Sequence, residues 1–359
     1  MEFLSEFGMF LAKAVTIVFA IIVVIGVAAS SGQRGKKTGK RGAIKVTRLN
    51  EHFEELREAL REAVLDKDSL KTVHKDEKKQ AKSEQKELKA ARKKDKSSVE
   101  AHADPGHEKK RIYVLNFKGN IAADAVVCLR EEISAILSLA TPADEVVVRL
   151  ESPGGMVHAY GLASSQLLRL KNAQVPLTIY VDKVAASGGY MMACLADKLI
   201  AAPFAIIGSI GVIVQLPNFH RVLKKHDVDY EMISAGEFKR TLTTFGEITD
   251  KSREKVQEDV QTIHDIFKTW VKEHRPSVDI DKVATGETWL GSQAKEKYMV
   301  DDIRTSDECI LQACESAEVF EVEYEVRKSI QDKLGNVLEN SFEKVLSRFF
   351  TQSRNDIYQ

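Results

Sequence analysis

Apolar residues are distributed along this chain in three regimes: one long run, a polar stretch with few of them, and a series of short runs alternating with helical stripes. The first is residues 10–29, FLAKAVTIVFAIIVVIGVAA, interrupted only by Lys13. About 20 apolar residues suffice for a helix to cross a bilayer, and a lysine near one end extends its amine to the interface. The first eight residues carry Glu2 and Glu6 and no basic side chain, so the positive start of a cleaved signal peptide is missing. Residues 1–30 are expected to form a retained, single-pass transmembrane anchor.

Residues 31–108 are expected to be a basic juxtamembrane segment followed by a charged spacer, helical or disordered. Within 50–66, Phe53, Leu56, Leu60 and Val64 recur at helical spacing, which predicts an amphipathic helix with Asn50 as N-cap. Lys71–Lys96 then holds eleven Lys or Arg against five acidic residues and almost nothing apolar. Such a stretch cannot bury a core and is read as a solvated spacer. No aromatic residues are interleaved for base stacking, so no nucleic-acid partner is expected.

The third regime, 109–325, reads as one globular domain. Strands are predicted at Arg111–Phe117, Glu145–Glu151, Pro176–Val181, Lys198–Ala202, Ile210–Leu216 and Tyr230–Ser234. Helices are predicted at Ala122–Leu139, at Met156–Leu170, after Ser187, near Phe219–Lys225, and at Thr249–His274 with Thr249 or Asp250 as cap. Strands apolar on both sides, alternating with helices, predict an α/β fold with a mostly parallel sheet covered on both faces. Residues 326–359 place Leu334, Val337, Leu338, Phe342, Val345, Leu346, Phe349 and Phe350 on an amphipathic C-terminal tail.

Composition adds little, because 53 basic and 53 acidic residues cancel. Their distribution adds more. Residues 31–50 hold seven basic residues and no acidic one. That flank is expected to stay cytoplasmic and to be drawn to anionic lipid headgroups, making the bilayer a partner. The four cysteines, Cys128, Cys194, Cys309 and Cys314, lack metal-ligand spacing and are read as free thiols. The nine histidines contain no H-E-x-x-H, so neither a metal nor another cofactor is expected.

The chemistry points to Ala185-Ala186-Ser187-Gly188-Gly189-Tyr190. A serine between small residues, after a predicted strand, suits a nucleophile on a sharp turn that a substrate carbonyl must approach closely. A second glycine turn, Ser152-Pro153-Gly154-Gly155, follows the predicted strand Glu145–Glu151. Backbone N–H groups of Gly155 and Gly188 are candidates for an oxyanion hole. A serine nucleophile needs a base. His158, with Asp182 or Asp197 as partner, is one candidate; His220 and His226 fall in surface segments.

Four ordered motifs, S-P-G-G at 152–155, D-K-V-A-A-S-G-G-Y at 182–190, G-S-I-G-V at 208–212 and S-A-G-E-F-K at 234–239, make the chain resemble the SppA-type signal peptide peptidases. With its anchor and basic spacer it looks like their SohB branch of bacterial inner-membrane proteases. The resemblance covers the anchor and residues from about 110 to 325. It implies a ClpP/crotonase-like fold and a serine endopeptidase with a Ser-Lys dyad: Ser187 as nucleophile, Lys239 as general base and Ser209 orienting the lysine, with Gly155 and Gly188 as oxyanion donors. It implies peptide substrates such as signal-peptide remnants or unfolded, membrane-associated peptides, and a homo-oligomer in which neighbouring subunits help to build each site. It also implies a bacterial inner-membrane location with the catalytic domain outside the cytoplasm, opposite to the side favoured by the basic flank. One position departs from the family pattern: Tyr298 stands where a glycine would cap a helix in the left-handed region. A crotonase-type acyl-CoA enzyme and a non-catalytic membrane scaffold are the alternatives. The first has no need of Ser187, and the intact Ser187, Ser209 and Lys239 argue against the second.

Overall fold

The computed structural model describes residues 42–66, 68–72, 74–75, 79 and 110–326. The expected anchor, most of the spacer and the C-terminal tail lie outside the described residues. Ile44–Tyr324 form one compact unit.

A seven-stranded sheet runs through it in the order β1-β10-β2-β3-β4-β6-β9. Its strands are β1 (Ala43–Arg48), β2 (Arg111–Lys118), β3 (Glu145–Glu151), β4 (Leu177–Val181), β6 (Lys198–Ala201), β9 (Asp302–Ile303) and β10 (Glu318–Glu325). Every pairing from β10 across to β9 is parallel. Between β2 and β6 the connections run through α2 (Val126–Leu137), α3 (Val157–Asn172) and α4 (Gly188–Ala193). A smaller sheet, β5-β7-β8, is built from β5 (Val184–Ala186), β7 (Ile206–Gly208) and β8 (Thr288–Leu290), with β5 and β7 parallel and β7 and β8 antiparallel.

Alternation along each strand sends side chains to two cores. Tyr113, Leu115 and Phe117 of β2 join Leu129 and Ile133 of α2 and Leu167 of α3, while Ile112 and Val114 join Ile310 and Leu49 on the other face. Ile310 lies in α9 (Ser306–Ser316), and Leu49 opens α1 (Leu49–Val64). The α/β expectation with a largely parallel, doubly covered sheet therefore stands. All four cysteines are free, and burial pushes the Cys194 thiol up to about 12, so it is inert at neutral pH.

Several boundaries differ from expectation. Residues 44–64, expected with the juxtamembrane segment and spacer, belong to the folded body: β1 flanks β10, and Leu49 is buried. Asn50 does not cap α1, whose N-cap is Arg48. Its amide instead donates to the carbonyls of Cys314 and Ala317, both at 2.9 Å, and accepts from Val319 N–H at 2.8 Å, stitching α1 to the α9–β10 turn. The strand expected at Ile210–Leu216 lies earlier, at Ile206–Gly208, because Gly208 (φ 111°) and Ser209 (φ 53°) leave extended geometry. Tyr230–Ser234 is not a strand, and Ile233 is 99% exposed. Thr249 does cap α6 (Asp250–His274), accepting from Ser252 N–H. Tyr298 does take the left-handed conformation, at φ 59°.

Candidate active site

In open parallel sheets, sites form beyond the carboxyl ends of the strands. Three connections gather there: Gly119–Ile121 after β2, Ser152–Met156 after β3, and Ser187 after β5. Ser152 links them. Its N–H donates to Val184 O at 2.8 Å and its carbonyl accepts from Ala186 N–H at 3.0 Å, forming a parallel bridge to Ala185.

Ser187 sits at φ 51°, ψ −119°, a sparsely populated conformation for a residue with a side chain. Such backbone costs on the order of 1–3 kcal/mol and persists only where its surroundings over-determine it. Here they do: Ser187 N–H donates to Gly208 O at 2.8 Å, and its carbonyl accepts from Met191 N–H at 3.0 Å. Ser187 is half-buried, and the first turn of α4 begins at the next residue. Gly188, as that first residue, has no preceding helical carbonyl for its N–H.

Gly154 and Gly155 approach from β3. A side chain on Gly154 (φ 92°) would place Cβ 2.6 Å from Ser187 Cβ and 2.9 Å from Gly188 N, so this turn lies directly against the serine. Gly155 is exposed, backs onto the main chain of Ile121, and has no acceptor for its N–H among the described residues. Ser209 follows β7 as Ser187 follows β5, and Ala186 pairs with Gly208, so the two serines are one step beyond a matched pair. Ser209 N–H donates to Glu287 O, and the Trp289 ring packs against Gly208.

Lys239 is placed differently. It lies in an exposed segment, 224–240, and its amine has no hydrogen-bond or ion-pair partner among the described residues. The neighbouring Glu237 pairs with Lys251, and the Phe238 ring lies 5.8 Å from Lys251 Nζ and 5.9 Å from Lys255 Nζ, which seats the segment on the start of α6. The structure thus brings Ser187, Ser209, Gly188 and the Gly154–Gly155 turn together, and leaves Lys239 outside hydrogen-bond contact with them in the single chain.

A histidine triad has no support in this arrangement. Asp182 is engaged by Ser306 N–H at 2.8 Å and by the Ser306 hydroxyl at 2.5 Å, and Asp197 by Lys171 at 2.8 Å and Leu177 N–H at 2.9 Å. His158 is exposed on the first turn of α3.

Two family models cover nearly all of this machinery: peptidase family S49 N-terminal over residues 2–167, and peptidase family S49 over residues 169–320. The chain belongs to peptidase family S49. Among S49 relatives, "Probable protease SohB" of Haemophilus influenzae is 46% identical over 358 residues, covering 99% of both chains. "Probable protease SohB" of Buchnera aphidicola subsp. Acyrthosiphon pisum is 50% identical over 245 residues, covering 68% of this chain and 73% of that one. A solved structure of the 1510-N membrane-bound stomatin-specific protease with a substrate peptide is 16% identical, with a TM-score of 0.41, over 65% of this chain and 100% of that chain. As an S49 member closely related to SohB proteins, the protein is a serine-type peptidase. Among the described residues no helix is long and apolar enough to cross a membrane; residues 10–29 are not among them.

The hydrogen bonds that sequence reasoning missed lie behind the glycines. Tyr160 and Ser152 are both fully buried, and Gly154 donates to Ser152 rather than lying open. The only sequence signal for Tyr160 was a hydroxyl on the core-facing stripe of α3.

Proposed function

We propose that this S49 peptidase is a membrane-anchored endopeptidase in which Ser187 is the nucleophile and Lys239 the general base. The observation that carries this reading is the Ser187 turn: a strained, half-buried serine at a strand-to-helix junction, with Gly188 and the Gly154–Gly155 turn packed around it. The neutral Lys239 amine takes the Ser187 hydroxyl proton as Oγ attacks the peptide carbonyl. Gly155 and Gly188 N–H groups hold the resulting oxyanion. The lysine ammonium returns the proton to the leaving amine, and water then releases the acyl group from Ser187 by the same route. Ser209 accepts a hydrogen bond from the lysine and orients it without adding negative charge.

A lysine amine works as a base only when neutral, and burial favours the neutral form. The exposed segment carrying Lys239 acquires that burial, in this proposal, from a neighbouring subunit of a homo-oligomer. Supporting this, Ile213 (81%) and Ile233 (99%), on the same stretch of chain as Lys239, are exposed in the single chain and are available to a neighbouring subunit. Residues 1–30 would anchor the enzyme in a bacterial inner membrane, where signal-peptide remnants and unfolded or membrane-associated peptides are the substrates.

Ser187→Ala and Lys239→Ala in the full-length, detergent-solubilised protein test the dyad. Each is expected to abolish peptide hydrolysis, and wild-type activity in either variant refutes its assigned role. Activity per subunit is expected to fall on dilution as the oligomer dissociates. A reporter fused after residue 325 settles which side of the membrane the catalytic body faces.

A further inference from the structure

Behind the two glycine turns runs a directional chain of buried hydrogen bonds. Tyr160 Oη lies 2.8 Å from Asn120 O, and a carbonyl can only accept, so the tyrosine proton points there. Tyr160 Oη also lies 2.5 Å from Ser152 Oγ; with its own proton committed, it accepts, and the serine hydroxyl donates. Ser152 Oγ in turn accepts from Gly154 N–H at 3.1 Å. The order is therefore Gly154 N–H to Ser152 O–H to Tyr160 O–H to Asn120 carbonyl, with one proton per link. Tyr160 and Ser152 are each 0% exposed, so no water competes for these bonds. Burial pushes the Tyr160 hydroxyl above its ordinary value against the opposing bond from Ser152, which keeps it protonated in its donor role.

The same tyrosine touches the other half of the site. A Cβ on Gly188 would fall 2.4 Å from Tyr160 Cγ and 2.6 Å from Cδ2, so the ring is the floor on which Gly188 rests. The hydroxyl end of Tyr160 thus fixes the β3 turn through Ser152, and its ring fixes the first residue of α4.

We infer that Tyr160, acting with Ser152, is a positioning residue for the oxyanion hole. By drawing the Gly154 N–H inward, the pair leaves the next amide, that of Gly155, as the turn's free donor beside Gly188 N–H. This rests on the assignment of Ser187 as nucleophile and of these amides as oxyanion donors, and it adds the device that sets their spacing. Neither side chain touches the substrate. Their effect belongs to the transition state, because the donors must fit the oxyanion rather than the planar carbonyl.

The test uses the full-length enzyme with Tyr160→Phe, which keeps the ring and removes the hydroxyl, and Ser152→Ala, with Ser187→Ala as control. Steady-state hydrolysis of one peptide, affinity for a peptide boronate, thermal melting, and hydrogen exchange of the peptide covering 153–156 are measured. The expectation is a fall in kcat of about tenfold to a hundredfold in both variants, since losing one oxyanion donor outright costs roughly 10²–10³. KM should stay within about twofold, and boronate affinity should fall by the same factor as kcat/KM. Exchange at 153–156 should accelerate in folded protein. If Tyr160→Phe fails to fold, Ser152→Ala carries the same four readouts. Wild-type kcat in the folded variants, a loss confined to KM, or unchanged exchange overturns the inference. Activity surviving in Ser187→Ala, with exchange accelerated as expected, overturns the nucleophile assignment and leaves the hydrogen-bond chain standing.

Discussion

Gly154→Ala probes how closely the two glycine turns are fitted. The methyl group would meet Ser187 Cβ at 2.6 Å, Ala186 O at 2.7 Å and Gly188 N at 2.9 Å, three contacts on the nucleophile turn itself. Ordinary carbon contacts lie near ~3.5–4.0 Å, so the turns must part by about 1 Å. Gly154 also sits at φ 92°, where an L side chain is strained. The conformational penalty of about 1–2 kcal/mol and the overpacking penalty of about 1–3 kcal/mol add to roughly 2–5 kcal/mol of lost stability. A domain with an ordinary stability of about 5–15 kcal/mol stays folded under that loss. Activity suffers more, because a misplacement of about 1 Å costs on the order of a hundredfold in rate.

Gly161→Ala supplies the contrast. It lies within α3, with nothing beyond the helix's own neighbouring backbone within 4 Å of the added Cβ and no positive φ. Replacing glycine by alanine inside a helix is worth about 0.5–1 kcal/mol of stability. Urea unfolding and peptide hydrolysis on the two variants are therefore expected to move apart: Gly154→Ala less stable and nearly inactive, Gly161→Ala slightly more stable and fully active. Wild-type turnover in Gly154→Ala, or equal damage in both, refutes the packing account of the site.

Three further outcomes follow from the scaffold. Asp301 takes both Arg275 nitrogens at 2.8 and 2.7 Å and Leu199 N–H at 2.7 Å; burial alone would raise its carboxyl, but these bonds and the guanidinium charge outweigh it and hold the pKa low. Its stabilisation is full above the unfolded-state value near ~3.9 and is lost as pH falls through the lowered folded value, so Asp301→Asn should flatten the acid limb of a Tm-against-pH curve. Glu132 is the opposite case: burial raises its pKa, Glu323 raises it further, and the bond from Tyr324 N–H only partly opposes them. The folded state holds that proton more tightly than the unfolded chain, so stability falls as pH rises through the two values. The Tm advantage of Glu132→Gln over wild type should grow from pH 4 to pH 8. Asn50→Ala strips three main-chain groups of partners at about 1 kcal/mol each, for a loss of roughly 2–3 kcal/mol in urea unfolding.

The central strands were legible because burial on both faces writes continuous apolar runs: Val146–Val148 and Leu177–Val181 are nearly all buried. The flanking strands were not. In β1, AIKVTR, apolar and basic residues alternate inside a charged segment, and in β10, EVFEVEYE, they alternate with acids, so charge concealed the period. The run Ile210–Leu216 misled in the other sense. Its apolarity reads as a buried strand, yet beyond the fully buried Ile210 the side chains of Ile213 and Val214 are exposed in the single chain, so these two are not spent on the monomer's interior. Both glycine turns, the one carrying Ser187 included, were visible as local composition. Asn50 and the Ser152–Tyr160 pair were not, because a tertiary hydrogen bond leaves no period in the sequence and a buried tyrosine on a helical stripe looks like any core residue.

The two halves of the proposed dyad are held in contrasting ways, and this bears on how activity is controlled. Ser187 is over-determined. Its strained backbone, costing about 1–3 kcal/mol, is held by bonds to Gly208 and Met191, by the Ala186–Ser152 bond beside it, and by three glycines whose Cβ positions are already occupied. The fold supplies that strain whether or not substrate or a partner is present. Lys239 is under-determined: its own N–H makes one turn bond, to Gly236 O, and its segment meets α6 through a surface ion pair at Glu237 and a ring contact at Phe238. Exposed pairs of that kind contribute about 0–1 kcal/mol. A nucleophile built into each chain, with its base on a segment so weakly held, makes assembly the step that completes catalysis in the proposed oligomer. Under that proposal, an isolated subunit carries a prepared but inactive serine. The corresponding measurement is concentration-dependent labelling of Ser187 by a peptide boronate: binding should strengthen with subunit concentration in parallel with hydrolysis, and binding that is independent of concentration refutes assembly as the switch.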